Sequence, residues 1–177
     1  VYEADLSNSV YNLTYSIEDY AGNNYSETVE VLYDTKAPSL KVFEPENNSL
    51  ASVNFSVAAG FSDSVSGIKN ATYSVVNDST VLSGQLNDTT DTSNLSEDEY
   101  RVNYNVYDNA GRLNSTSINV TLDDSPPMLN LSTPQNGDVF SGNFSINAPY
   151  SDDVGIDMAT YELSNGPVQN PGTLNAT

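Results

Sequence analysis

The sequence predicts an all-β protein made of tandem β-sandwich modules, and two observations carry this prediction. Apolar and polar residues alternate over 100–122 on both sides of a turn that contains Asp108 and Gly111, which is the pattern of a β-hairpin. The segment 11–38 matches 100–127 without a gap at an offset of 89 residues. A period of that size corresponds to one β-sandwich and exceeds the periods of solenoid repeats.

The repeat divides the chain into three parts. Residues 1–36 contain two predicted strands, Ser9 to Glu18 and Ser26 to Tyr33, and form the C-terminal half (strands F and G) of a module. Residues 37–125 form a complete module, and residues 126–177 form the N-terminal half (strands A to C) of a further one. Because no stretch keeps a helical apolar period, we expect no helix.

Within the complete module, period-two alternation places each strand. Strand A covers Leu40 to Phe43, strand C covers Ile68 to Val76, and the polar stretch 77–96 is predicted to hold short edge strands. The residues predicted to form the inner face of strand B are Val53, Phe55, Val57 and Ala59. The corresponding inward residues of the last part are Leu129 and Leu131 on A, Phe144, Ile146 and Ala148 on B, and Tyr161 and Leu163 on C.

Composition limits the function classes. Five Lys and Arg against 24 Asp and Glu give a net charge of −19, which repels nucleic acid and anionic membranes. There is no apolar run long enough to span a bilayer, so membrane insertion is not expected. The absence of His and Cys excludes the usual catalytic triads and thiolate metal sites. A glycosidase-like carboxylate pair stays open, but no acids share an evident cleft, and we predict a protein that is not an enzyme.

Three motifs carry a resemblance to a known family. They are the joint DTKAP at 34–38, the segment SDSVSGI at 62–68 that leads into ATY, and the hairpin YRVNYNVYDNAGR at 100–112. In this order the chain resembles the bacterial and archaeal immunoglobulin-like modules that occur in tandem on cell-surface proteins. The resemblance implies tandem immunoglobulin-like β-sandwiches and an extracellular role as spacer, stalk or surface-layer unit. The second joint departs from the pattern as DDSPP, and the second SD segment is one residue shorter.

Asparagine sequons are more numerous than the contents of Asn, Ser and Thr predict. Alternating strands generate some N-x-S/T triplets by placing polar residues at i and i+2, but Asn is a poor strand former. We therefore predict N-glycosylation, which implies a secreted product of an archaeon or a eukaryote. The thirteen sequon asparagines are Asn12, Asn24, Asn47, Asn54, Asn70, Asn77, Asn87, Asn94, Asn114, Asn119, Asn130, Asn143 and Asn175.

Aspartates near the module joints are candidate Ca²⁺ ligands, because hard cations prefer carboxylate and carbonyl oxygens. The competing interpretation is that loop aspartates cap turns, and no EF-hand spacing is present. No other cofactor is expected. The candidate ligands are Asp34, Asp63, Asp123, Asp124, Asp152 and Asp153.

Several of the twelve tyrosines fall on inward strand faces. There the ring fills the core while the hydroxyl reaches an edge, and Tyr100 or Tyr104 is a candidate for the tyrosine corner of such sandwiches. An aromatic platform for sugar binding is the alternative interpretation. The inward tyrosines are Tyr11, Tyr15, Tyr73, Tyr100, Tyr104 and Tyr161.

Two function classes remain. The first is a structural segment, such as a spacer, surface layer or filament, and the second is an adhesin module that binds a glycan or protein through its loops. Neither half-module can bury its strands alone. We expect neighbouring modules to complete them, either within a longer chain or head to tail between copies.

Overall fold

The computed structural model, described for residues 6–86, 90–165 and 167–174, is all-β, as the alternation predicts. None of these described segments forms an apolar helix of the length that a bilayer crossing needs. The strands are β1 (Ser9–Glu18), β2 (Asn24–Tyr33), β3 (Ser39–Glu44), β4 (Ser49–Ala51), β5 (Ala58–Ser62), β6 (Ile68–Asn77), β7 (Ser79–Gln85), β8 (Asp98–Asp108), β9 (Leu113–Leu122), β10 (Met128–Leu129), β11 (Tyr150–Ser151), β12 (Thr160–Asn165) and β13 (Val168–Thr173).

The chain separates into two compact units, Val1–Leu122 and Asp123–Thr177. The first unit contains the antiparallel hairpin β1–β2, the pair β3–β5, and a five-stranded sheet in the order β4-β9-β8-β6-β7. All neighbours in that sheet are antiparallel except β4, which runs parallel to β9. The second unit contains the two-stranded sheets β10–β11 and β12–β13.

Strand β8 provides the centre of the core. Tyr100, Val102, Tyr104 and Val106 alternate with polar residues and are all buried, as period-two alternation requires. Side chains of β3 and β5 pack against this cluster from the opposite side. Two sheets thus share one apolar core, an arrangement compatible with a β-sandwich.

The segment before β5 differs from the predicted strand B. Phe55 and Val57 are buried as predicted, but the strand begins only at Ala58, and Val53 is 64 % exposed. The hydroxyl of Thr92 takes the place of a neighbouring strand: it accepts a hydrogen bond from the Phe55 N–H (2.9 Å) and donates one to the Phe55 carbonyl (2.8 Å). Both backbone groups of Phe55 are therefore satisfied outside a ladder.

The second unit repeats local geometry from the first. The Tyr161 ring lies over Gly172, where an added Cβ would meet ring atoms at 2.3–2.6 Å, just as the Tyr73 ring lies over Gly84. Both tyrosines face their glycine directly across an antiparallel pair. The repeat therefore extends through β13, a strand that alternation in the sequence did not predict, because its glycine and proline residues interrupt the apolar pattern.

The β1–β2 hairpin has the backbone of β8–β9 but not its burial. Leu13 and Ile17 are 45 % and 70 % exposed, whereas their counterparts Val102 and Val106 are fully buried. The prediction that Tyr15 faces inward is wrong for the same reason, because its ring is largely exposed. Along 6–33, the described residues of the hairpin present an apolar face that no second sheet covers.

Tyr104 and Tyr15 provide a matched pair for testing this difference. The buried Tyr104 hydroxyl donates to the Glu44 carbonyl at 2.8 Å, so Tyr104→Phe should lower the free energy of unfolding by about 1 kcal/mol. Tyr15→Phe, at the exposed counterpart, should change it by less than about 0.5 kcal/mol. Urea unfolding of both variants measures the two values, and equal losses would contradict the assigned environments.

Candidate functional site

Three aspartates converge where the exit of the first hairpin meets two loops of the complete module. Asp34 follows β2 directly, and its Oδ1 accepts the Lys36 N–H at 3.1 Å. Its Oδ2 accepts hydrogen bonds from the backbone N–H (3.3 Å) and the hydroxyl of Ser66, in the loop between β5 and β6. The joint residue is thereby tied to the module that follows it.

Asp63 organises the loop between β5 and β6. Its Oδ1 accepts the N–H groups of Val65 (3.0 Å), Ser66 (2.9 Å) and Gly67 (2.9 Å). Desolvation raises the pKa of this carboxyl, but the N–H donors together outweigh it and hold the pKa below its usual value. Asp63 is therefore a carboxylate whose second oxygen stays available to a ligand.

Asp108 closes the β8–β9 turn and is fully buried. Its Oδ1 accepts the Arg112 N–H at 2.8 Å, as the turn interpretation predicts, and Gly111 adopts a positive φ of 84°. Its Oδ2 is buried without a hydrogen-bond partner. A buried polar atom of this kind is rare and needs an explanation.

One carboxylate oxygen from each of Asp34, Asp63 and Asp108 lies within 4.8 Å of the other two. Carboxylates this close repel one another in a partly buried setting. The Arg112 side chain also links the β8–β9 turn to the exit of the first hairpin, because its Nε donates to the Asp34 carbonyl at 3.4 Å. We call Asp34, Asp63 and Asp108 the joint triad.

The sequence predicts two members of the joint triad, Asp34 and Asp63, as candidate ligands. For Asp108 the sequence predicts only a place in the β8–β9 turn, whereas in the structure the antiparallel pairing of β6 with β8 places Ile68 opposite Asp108. This register places the β8–β9 turn beside the first residue of β6, which directly follows the loop that contains Asp63. Ser66 was missed as well, and nothing in the local pattern distinguishes its hydroxyl from those of other loop serines.

The remaining candidate ligands behave differently. Asp152 Oδ1 caps its own loop by accepting the N–H groups of Val154 (3.1 Å) and Gly155 (2.9 Å), and Asp124 is exposed. Asp123 and Asp153 offer oxygens within 4.8 Å of each other. The second loop also lacks a counterpart of Ser66, the residue deleted from the shorter SD segment.

The equivalent turn of the first hairpin shows how the second oxygen is normally satisfied. Asp19 Oδ1 accepts the Ala21 and Asn23 N–H groups, and Asp19 Oδ2 accepts the Asn23 Nδ2 at 2.8 Å. Arg112 stands at the position of Asn23 and sends its side chain to Asp34 instead. The repeat thus isolates the difference: one turn aspartate is fully hydrogen-bonded, and the other leaves an oxygen facing the joint.

The tyrosine corner is found at Tyr100, whose hydroxyl donates to the Ser96 carbonyl at 2.8 Å. Tyr11 makes the same bond to the Ser7 carbonyl at 2.8 Å. Tyr104, the other candidate, bonds across the core to Glu44. Burial raises the pKa of Tyr104.

The sequon asparagines fall into two groups. Asn77 and Asn114 are partly buried and use the Nδ2 that would carry a glycan: Asn77 donates to Asp98 Oδ2 at 2.5 Å, and Asn114 to the Pro38 carbonyl at 2.9 Å. Asn119 is also partly buried, and Asn87 and Asn175 lie outside the described residues. The exposed sequon asparagines are Asn12, Asn24, Asn47, Asn54, Asn70, Asn94, Asn130 and Asn143.

The hydrogen bonds of the Asp19 turn predict how the stability of the first hairpin depends on pH. Hydrogen bonds, with the Asn23 side chain contributing most, lower the pKa of Asp19 below 3.8. A lowered folded-state pKa stabilises the hairpin above the unfolded-state value, and this stabilisation is lost as the pH falls through the folded-state pKa. Asn23→Ala should raise the Asp19 pKa towards 3.8, measured by carboxyl-carbon NMR titration. Asn24→Ala is the control, and an equal rise there would contradict the assignment.

No protein-family model matches the chain, and no curated protein matches its sequence significantly. Equivalent positions are therefore compared between the copies of the repeat within this chain.

Proposed function

We propose that the chain is a non-catalytic structural segment of an extracellular surface protein, built as an array of immunoglobulin-like modules. The observation that carries the proposal is the β1–β2 hairpin. Its residues repeat those of β8–β9, yet its apolar face is exposed where the face of β8–β9 is buried. A face of this composition needs a covering sheet.

Strand pairing in residues 37–125 supports the immunoglobulin-like assignment. In that fold, strands C, F and G share one sheet, while A and B lie in the other. Strands β6, β8 and β9 are neighbours in the five-stranded sheet, and β3 pairs with β5. The tyrosine corner at Tyr100 is a further feature of such sandwiches.

The last part of the chain supplies a covering face of the required kind. Leu129, Leu131 and Leu163 are 59 %, 67 % and 50 % exposed, and the latter two correspond to Val42 and Val75 of the complete module. Val75 is fully buried there, and Val42 packs against the same core. Residues 126–177 of one copy therefore offer the strands that residues 1–36 of another copy need, as do neighbouring modules in a longer array.

An adhesin remains the alternative function, with 77–96 as the stretch most open to specialisation. Strand β7 occupies much of that stretch and pairs with β6, so its backbone serves the sheet. The described residues offer no feature there that favours a ligand over this structural role.

Head-to-tail completion can be tested with two variants of the 177-residue chain. Leu13→Asp with Val29→Asp charges the hairpin face, and Leu131→Asp with Leu163→Asp charges the face in 126–177. The wild-type chain should associate with rising concentration in sedimentation velocity. Each variant alone should stay monomeric, because it keeps only one of two complementary faces.

Mixing the two variants is the decisive measurement. The intact hairpin of one and the intact 126–177 face of the other leave a single productive contact, so the mixture should form a 1:1 dimer that does not grow. Dimer formation also shows that each variant retains a folded half. A wild-type chain that stays monomeric, or a mixture that does not dimerise, would contradict completion of the half-modules between copies.

Glycosylation generates a second, site-resolved prediction. Glycopeptide mass spectrometry of native material should find glycans on several exposed sequon asparagines, Asn12, Asn54 and Asn70 among them. Asn114 should be unmodified, because its amide nitrogen is bonded to the Pro38 carbonyl. An intact mass equal to that of the bare polypeptide would overturn the glycosylation proposal.

A further inference from the structure

We propose that the joint triad binds one Ca²⁺ ion, with a carboxylate oxygen from each of Asp34, Asp63 and Asp108 as ligands. This inference is independent of any association between copies, since all three residues lie in one compact unit. It assigns Asp108, rather than a loop aspartate of 126–177, as the third protein ligand.

The orphaned oxygen of Asp108 provides the evidence beyond the clustering of acids. Its Oδ2 is fully buried and lacks a hydrogen-bond partner, although the other oxygen of the same carboxylate is bonded to the Arg112 N–H. Burying an ionised oxygen without a partner is costly, and a metal ion removes the cost by coordination. The fully bonded Asp19 in the equivalent turn shows that the turn itself does not require an unpartnered oxygen.

The distances fit a calcium ion. Ca²⁺ binds oxygen at about 2.3–2.6 Å, so two ligands of one ion can be separated by at most about 5 Å. The three oxygens lie within 4.8 Å of one another. The Asp63 Oδ1 is occupied by three N–H donors, which orients the carboxylate and leaves Oδ2 as its ligand atom. Three carboxylates leave room for the water or carbonyl oxygens that complete six to eight ligands.

The ion would join three separate places in the chain. Asp34 belongs to the exit of the first hairpin, Asp63 to the β5–β6 loop and Asp108 to the β8–β9 turn. Hydrogen bonds already link these places: Ser66 and Arg112 donate to Asp34, and Asn109 in the β8–β9 turn donates to the carbonyls of Ser66 and Gly67. A shared cation would add strong ionic contacts, since the three like charges would then attract a common centre instead of repelling one another.

The test compares the 177-residue wild-type chain with two variants, Asp108→Asn and Asp157→Asn. Asp157 is an exposed aspartate, so its variant serves as the charge-matched control. Asn at 108 keeps an oxygen to accept the Arg112 N–H but removes the ligand charge. Calcium titrations by calorimetry and thermal unfolding, each after EDTA treatment, provide the two readouts. Asp34→Asn, which removes a different ligand, is the second variant and decides the outcome if Asp108→Asn fails to fold.

Calcium at a hundredfold excess over its Kd should raise the Tm of the wild type and of Asp157→Asn by about 5–10 °C. Affinity should fall roughly tenfold or more in Asp108→Asn and Asp34→Asn. In EDTA, Asp108→Asn should be at least as stable as the wild type, because the orphaned charge is gone, and the order should reverse in calcium. A wild type that does not respond to calcium, or a variant that responds equally, would overturn the site.

Discussion

The structure depends on one constraint: the apolar face of a hairpin such as β8–β9 is stabilised only when a second sheet covers it. In β8, every second side chain from Tyr100 to Val106 is buried because β3 and β5 pack over it. The same alternation in β1 stays exposed along the described part of the hairpin. Burial of apolar area is the dominant favourable term in folding, so the covering sheet stabilises β8–β9 to an extent that the exposed face of β1–β2 does not share.

The two copies of the repeat share the same local hydrogen bonds even where only one copy buries its apolar side chains. The tyrosine corner of Tyr100 recurs at Tyr11, and the Asp108 turn recurs at Asp19. The backbone bond from Leu86 N–H to the Ala71 carbonyl recurs from Leu174 to Ala159, both at 2.9 Å. Short-range hydrogen bonds therefore fix the same local geometry in both copies, whether or not the apolar face of the copy is covered. In the proposed array, completion by partner strands would have less conformational entropy to overcome.

Much of the fold was predictable from the sequence because period-two alternation is strong in the hairpins. The predicted limits of β1, Ser9 to Glu18, agree with the structure, and β2 begins two residues earlier than predicted. The start of β5 was not predictable, because the Thr92 hydroxyl that replaces its ladder partner is 37 residues away in sequence. The third acid of the joint triad was missed for a similar reason. Arg112 stands where the first hairpin has Asn23, and the repeat shows this exchange, but it does not show that the Arg112 side chain reaches Asp34 and leaves the second Asp108 oxygen without a partner.

The Thr92 hydroxyl bears on how the array proposed above would grow. An unpaired strand margin is a template for lateral addition of another chain. At Phe55 the hydroxyl occupies both the donor and the acceptor that an incoming strand would use, and the side chain that carries it is itself buried. Sideways recruitment is blocked at this point of the sandwich without proline or charge. In the proposed array, contacts between modules would then fall at the joints and at the uncovered sheet faces, which favours threads over lateral aggregates.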